Sequence, residues 1–223
     1  MIKTVVLVSG GMDSAVTLYD KVRELGEAGV HALSFIYGAK QNAQESKHAA
    51  ALCQRVGVAR TVIDLAFIGG LFRSDLLQSG GDIPLGHYTD ASMQRTVVPF
   101  RNGIMLSIAA GFAESIGARE IALSNHAGDH RTYPDCRPEF IDAMGQAVAR
   151  GTYAKIALSS PLCRLAKADV ARRGHELGVP FADTYSCYIG GAKHCGRCGT
   201  CVQRREAFGE AKLPDPTLYN YEL

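Results

Sequence analysis

The sequence predicts an α/β fold, a parallel sheet flanked by helices, and three observations lead there. Short β-branched apolar runs alternate with segments of helical apolar spacing. A glycine-rich turn joins the first run to the first helical segment. The chain has 223 residues, 47% hydrophobic and 21% charged, enough for one sizeable core and a single domain over 1–223.

The elements follow in order. Val5-Val6-Leu7-Val8 is the first strand. Residues 12–25 form a helix, with Val16, Leu18, Tyr19, Val22 and Leu25 near helical spacing. Residues 31–36 are a strand, 44–55 a helix, 61–65 a strand, 102–116 an alanine-rich buried helix and 120–123 a further strand. Between them, Gly69-Gly70, Gly80-Gly81, Pro84 and Gly86 break any period, so residues 69–96 are expected to form a long excursion beside the sheet. Helices are expected over 138–149, where a proline suits the first turn, and over 167–177, with a terminal helix near the carboxyl end. Parallel sheets bind ligands beyond the carboxyl ends of their strands, which directs attention to the turn after Val8.

Lysine and arginine number 24 against 22 acidic residues, a net charge of +2 that supports no large nucleic-acid footprint. Apolar runs of a few residues fall short of the roughly 20 a membrane helix needs, so a soluble, cytoplasmic protein is expected. Seven cysteines, four clustered and Cys53, Cys136 and Cys163 scattered, suit a metal site plus reduced thiols better than a disulfide framework.

In Ser9-Gly10-Gly11-Met12-Asp13-Ser14, successive glycines can aim backbone N–H groups inward beneath the positive end of a helix, forming a nest for phosphate or pyrophosphate. Ser9 and Ser14 can donate to the same anion. Asp13 fits there only as a cap or as a partner of a cation such as magnesium. The plain alternative is a Gly-Gly turn with Asp13 or Ser14 capping the helix. Neither G-x-G-x-x-G nor G-x-x-x-x-G-K-[ST] is present, which removes support from Rossmann and Walker readings.

Cys187, Cys195, Cys198 and Cys201 follow C-x7-C-x2-C-x2-C, with Gly190, Gly191, Gly196 and Gly199 between and beside them. Four thiolates so spaced suit a closed, structural tetrahedral zinc. An iron–sulfur cluster is the chemical rival, although such runs usually end in cysteine-proline. In Val98-Pro99-Phe100-Arg101-Asn102, an arginine at a helix start is unfavourable unless it meets an anion. Tyr133-Pro134-Asp135-Cys136-Arg137-Pro138-Glu139-Phe140 encloses charged groups between two prolines, a rigid segment able to present donors and acceptors to a heterocycle.

VSGGMDSAVTL, which is Val8-Ser9-Gly10-Gly11-Met12-Asp13-Ser14-Ala15-Val16-Thr17-Leu18, resembles the SGGxDS loop of the PP-loop ATP pyrophosphatases, of adenine nucleotide alpha hydrolase-like fold. With Tyr37-Gly38, VPFRN, YPDCRPEF, Pro161, Lys167, Thr184-Tyr185-Ser186-Cys187-Tyr188 and CGRCGTC followed by arginines, nearly the whole chain resembles the QueC family, the 7-cyano-7-deazaguanine synthases. The resemblance implies an ATP-dependent C–N ligase of queuosine biosynthesis that converts 7-carboxy-7-deazaguanine and ammonia to the nitrile through adenylated intermediates. It implies ATP contacts from the eleven loop residues. It assigns catalytic parts to Asp13, Arg101 and Lys167, with Asp13 metal-associated or loop-ordering, and substrate contacts to Tyr37, Arg101, Asn102, Asp129, Tyr133, Asp135 and Arg137. It further implies one structural zinc on a segment of about 184–210, magnesium with ATP, no nucleic-acid or membrane partner, and a homodimer.

The chain departs from the family pattern in two places. Where YGQRH and then a glutamate are common, it has Tyr37-Gly38-Ala39-Lys40-Gln41 and then Gln44-Glu45. Where D-x-S-G is common, it has Gly128-Asp129-His130-Arg131-Thr132, and His126 and His130 are additional. Those histidines with Asp129 could hold a metal or shuttle a proton, or be solvated loop residues. Three other readings stay open: a related ligase with another carboxylate or acceptor, a tRNA-modifying PP-loop enzyme, and a zinc-ribbon binding module on a degenerate nucleotide fold.

Overall fold

A computed structural model describes residues 1–87 and 90–221. Five strands, β1 (Thr4–Leu7), β2 (Val30–Ile36), β3 (Arg60–Asp64), β4 (Glu120–Ala122) and β5 (Ala157–Ser159), form one sheet in the order β3-β2-β1-β4-β5. Every pairing is parallel, and Val6 of β1 lies between Ala32 and Ala122. The helices are α1 (Met12–Leu25), α2 (Asn42–Arg55), α3 (Ile68–Leu71), α4 (Asp90–Gln94), α5 (Arg101–Ser115), α6 (Pro138–Gly151), α7 (Lys167–Glu176) and α8 (Gly199–Ala211).

The period of two along β1 sets the layers. Val6 and Val8 face a core built with Val16 of α1, Leu52 of α2, Val170 of α7 and Phe208 of α8. Val5 and Leu7 face the other way, against Leu106, Ala109 and Ala113 of α5 and Ile141 and Val148 of α6. The alanines of α5 bring that helix close to the sheet. The edge strand β5 is absent from the sequence reading because three residues, Ala157-Leu158-Ser159, carry no readable period.

Residues 69–96 form the long excursion beside the sheet, and they carry some regular structure. They include the end of α3 and all of α4, and positions 88–89 of this excursion lie outside the described residues. Leu76, Leu77 and Ile83 pack with Tyr37, Tyr185 and the four clustered cysteines into a third core. Lys40 fastens the excursion: its Nζ donates to the carbonyls of Asp75 (2.6 Å), Leu77 (2.6 Å) and Gly81 (2.9 Å). Glycine content signalled the missing period, and tertiary apolar contacts supplied the order.

Candidate functional site

A cavity of about 240 Å³ lies at the carboxyl ends of the central strands, bordered by Leu7 and Val8 after β1, Leu33, Phe35 and Tyr37 of β2 and its exit, and Leu123, Ser124 and Asn125 after β4. The chain leaves β1 toward β2 and returns to β4 on the opposite side, so the strand order reverses here. That crevice is where open α/β sheets bind ligands.

The loop after β1 is held by its own side chains and by α2. Gly10 has φ +93°, and a Cβ there would stand 2.3 Å from the Glu45 carbonyl oxygen and 2.8 Å from the Ala49 nitrogen, so only glycine lets α2 approach. Ser14 Oγ accepts from the N–H groups of Ser9 and Gly10, both at 3.2 Å, and donates to the Gly11 carbonyl at 3.0 Å. Ser9 Oγ accepts from the Gly11 N–H at 3.2 Å. Gly11 occupies the N-cap with no side-chain bond, so neither Asp13 nor Ser14 caps α1. Ser9, Gly11, Met12, Asp13 and Ser14 border the cavity. Ala15, Val16, Thr17 and Leu18 carry α1 into the protein interior behind it, all fully buried.

Asp13 anchors one polar cluster. Lys167, the first residue of α7, donates from Nζ to Asp13 Oδ2 at 2.5 Å and stands 3.1 Å from His126 Nε2. Burial pushes the Asp13 carboxyl up, but Lys167, His126 and Arg204 together outweigh it and hold it below the usual carboxylate range. Asp13 Oδ1 is buried without a hydrogen-bond partner. His126 Nδ1 accepts from the Gly128 N–H (3.0 Å), and Asp129 Oδ2 accepts from the His126 backbone N–H (3.0 Å). Burial, and then Lys167, keep this imidazole below its ordinary range. Lys167 Nζ, paired with Asp13 and beside His126, therefore borders the cavity as a cation, which suits an anion. His126 is buried and bonded, not a solvated loop residue. Among the described residues the cysteine cluster is the only group of three or more His, Cys, Asp or Glu side chains close enough for one ion, so His126, Asp129 and His130 do not form a metal site.

A second cluster surrounds Arg101 at the start of α5. Phe100, at its N-cap, takes the left-handed conformation (φ 52°), and its ring meets Phe140 edge to face at 5.7 Å. A Cβ on Gly103 would reach within 2.3 Å of that ring. Arg101 then donates to the Tyr37 hydroxyl at 3.0 Å. Gln41, the N-cap of α2, and Glu45, in its first turn, border the same space with Tyr133 and Tyr188. Burial pushes the Glu45 carboxyl up to about 7 against the opposing Arg101, and pushes Tyr37 up to about 12.

The 133–140 segment supports this cluster from behind. Asp135 Oδ2 accepts from the Asn102 N–H at 2.8 Å, and Asn102 Nδ2 donates to the Asp135 carbonyl (3.3 Å) and to Cys136 Sγ (3.1 Å). Tyr37, Arg101, Asn102, Asp129 and Tyr133 border the cavity. Asp135 instead satisfies the N-terminus of α5, and Arg137 Nε donates to the His130 carbonyl at 2.9 Å.

Cys187, Cys195, Cys198 and Cys201 are buried with all four Sγ atoms within 4.8 Å of one another. Pairs at 3.8 Å (Cys195–Cys201), 3.9 Å (Cys187–Cys198) and 3.4 Å (Cys198–Cys201) approach the edge of about 3.8 Å that a tetrahedron of zinc–sulfur bonds requires. Backbone N–H groups of Arg197 and Cys198 donate to Cys195 Sγ, which stabilises thiolate charge. Gly196 (φ +79°) turns where a Cβ would lie 2.4 Å from the Tyr221 carbonyl oxygen. This donor set fits a metal ion. The cluster ties two stretches of cavity wall: Tyr185, Ser186 and Tyr188 flank Cys187, while Thr200, Gln203 and Arg204 follow Cys198. Arg204 is 1% exposed and joins these stretches by donating to Thr184 Oγ1 (2.8 Å), Ser186 Oγ (3.1 Å) and Thr217 Oγ1 (2.6 Å).

Ser124, Asn125 and Arg204 are site residues that motif spacing did not single out, whereas Gln41, Glu45 and His126 stand where the sequence departs from the family pattern. The strand-end position of Ser124 and Asn125 was a signal available in the sequence. Gln41 is the N-cap of α2 and Glu45 lies one turn on, a placement legible only once the helix is known to begin at Asn42.

The family described as Queuosine biosynthesis protein QueC matches residues 3–212. A protein of Porphyromonas gingivalis named 7-cyano-7-deazaguanine synthase is 51% identical over 97% of this chain and 96% of its own length. One of the same name from Desulfotalea psychrophila is 46% identical over 98% and 99%. The solved structure of NMN synthetase from Francisella tularensis, 17% identical, aligns with a TM-score of 0.50 over 87% of this chain and 70% of that one, a likeness of fold alone. Similarity that runs the full length of both relatives and takes in the loop, the α5 start and the cysteines alike makes this chain a member of the QueC family.

Proposed function

We propose that this protein is an ATP-dependent C–N ligase that converts 7-carboxy-7-deazaguanine and ammonia to 7-cyano-7-deazaguanine, the product for which its relatives are named. The observation that carries the reading is one cavity bordered both by the Ser9–Ser14 loop and by a polar, aromatic wall around Arg101. In this reading the chain is a single PP-loop domain whose C-terminal segment, about 184–210, holds a structural zinc.

A carboxylate is a poor acyl donor because its oxygen leaves badly. Transfer of AMP from ATP to that oxygen makes a mixed anhydride, and attack by ammonia gives the amide with loss of AMP. A second adenylation, on the amide oxygen, followed by its departure leaves the nitrile. Lys167 Nζ and the N-terminal end of α1 would receive the departing pyrophosphate, the N–H groups of residues 9–11 being taken by the Ser9 and Ser14 hydroxyls. Lys167 lies on the phosphate side. Arg101, held by Tyr37 beside the aromatic wall, would take the acid's carboxylate or the ring-side anion. Asp13, its Oδ1 unpartnered, is the residue suited to a magnesium ion accompanying ATP, which would spread the triphosphate's charge. Cys187, Cys195, Cys198 and Cys201 would hold the zinc, which supplies folding energy and no chemistry.

Mass spectrometry of a reaction of the protein with the acid, ATP, magnesium and ammonium tests the reading: the cyano product, AMP and pyrophosphate are expected. Unchanged acid, or accumulation of the amide, would replace it by a related ligase with another carboxylate or acceptor. Gln41, on the cavity wall where the family commonly has histidine, is the observation favouring that second reading.

A further inference from the structure

Gln41 is 1% exposed, borders the cavity, and its side-chain Oε1 has no hydrogen-bond partner. Its amide nitrogen reaches the Tyr37 hydroxyl at 3.5 Å. A buried acceptor left bare costs about 1–3 kcal/mol, so a site that keeps one is built for a donor from outside the chain. One helical turn on, the Glu45 carboxylate takes a bond from Asn42 Nδ2 at 3.3 Å and faces the same cavity. Two acceptors together repel a substrate's carboxylate. They suit a small group with several N–H donors and one lone pair, placed between them and the anion at Arg101.

We propose that Gln41 Oε1 and the Glu45 carboxylate form the seat of the ammonia that supplies the nitrogen, an inference that rests on the reaction proposed above. When the nitrogen lone pair attacks the activated carboxyl carbon, a C–N bond forms. The C–O bond to AMP breaks with its electron pair leaving on AMP, and the proton shed by nitrogen passes to Glu45. The titratable and charged groups facing Glu45 are Arg101 from α5 and Tyr37 after β2. With its carboxyl raised to about 7, Glu45 can accept and release that proton near neutrality.

The test compares wild type with Glu45→Gln and Gln41→Met in two measurements. One is product formation against ammonium concentration; the other is ATP–pyrophosphate exchange with the acid and no ammonium. In both variants the ammonium KM should rise by about tenfold or more, the scale of one lost charged or buried hydrogen bond, while exchange moves by less than about twofold. Exchange falling in parallel with turnover, or an unchanged ammonium KM in both variants, would overturn the seat and leave the reaction standing. Wild-type protein that neither exchanges pyrophosphate nor converts the acid would overturn the reaction and the seat with it.

Discussion

Asp13 and Glu45 are carboxylates bordering one cavity, and their proton affinities move in opposite directions. Both are pushed up by burial. Asp13 has an ammonium at 2.5 Å and ends below the usual range. Glu45 has an amide donor at 3.3 Å and an arginine committed to Tyr37, and ends at about 7. A contact ion pair outweighs desolvation, whereas a neutral donor and a shared cation do not. The difference separates a group that stays charged, as a phosphate-side partner of a cation must, from one able to exchange a proton in the working pH range.

Removing the charged member should have the largest effect. Asp13→Ala is expected to lower nitrile formation on the order of a thousandfold, and Lys167→Met about a hundredfold, with circular dichroism unchanged. Turnover within tenfold of wild type for Asp13→Ala would break the contrast by making Asp13 a bystander.

The cysteine cluster adjoins both clusters through Arg204 and the 185–188 wall. Cys198→Ser, or chelation, should release about one zinc per chain and lower the melting temperature by on the order of 10 °C, the scale for losing about 3 kcal/mol from a chain of this size. Metal analysis and a thermal melt check this; a melt indifferent to chelator and substitution would remove the metal from the account.

The smallest expected effect is on the pH dependence of stability. The folded Glu45 carboxyl, at about 7 against an ordinary 4.5, binds its proton more tightly than the unfolded chain does. Its contribution is therefore full below about 4.5 and lost as pH rises through about 7. Asp13, lowered from an ordinary 3.8, contributes above that value and loses the contribution as pH falls through its folded value. Denaturant melts between pH 5 and 8 should show a decline that Glu45→Gln flattens; an equal decline in the variant would place the titration elsewhere.

The sequence by itself determined what short spacing encodes. Four consecutive apolar residues, a Gly-Gly turn and a helix with apolar positions at helical intervals specify the β1–α1 unit, and α1 runs over the expected 12–25. Four cysteines at C-x7-C-x2-C-x2-C with glycines specify a cluster whose sulfurs converge. Tertiary structure decided whatever depends on residues far apart in the chain. β5 exists because β4 offers it a parallel edge. The 69–96 excursion is ordered because Lys40 and a shared core hold it. Asp135, from a segment expected to face ligand, instead binds the N-terminus of α5, 33 residues away. Arg101 beside Tyr37 and Glu45, and Lys167 beside Asp13, are juxtapositions made by sheet order. Local periodicity carries no information about which strand ends become neighbours, and the burial that separates two carboxylates by charge state exists only after they do.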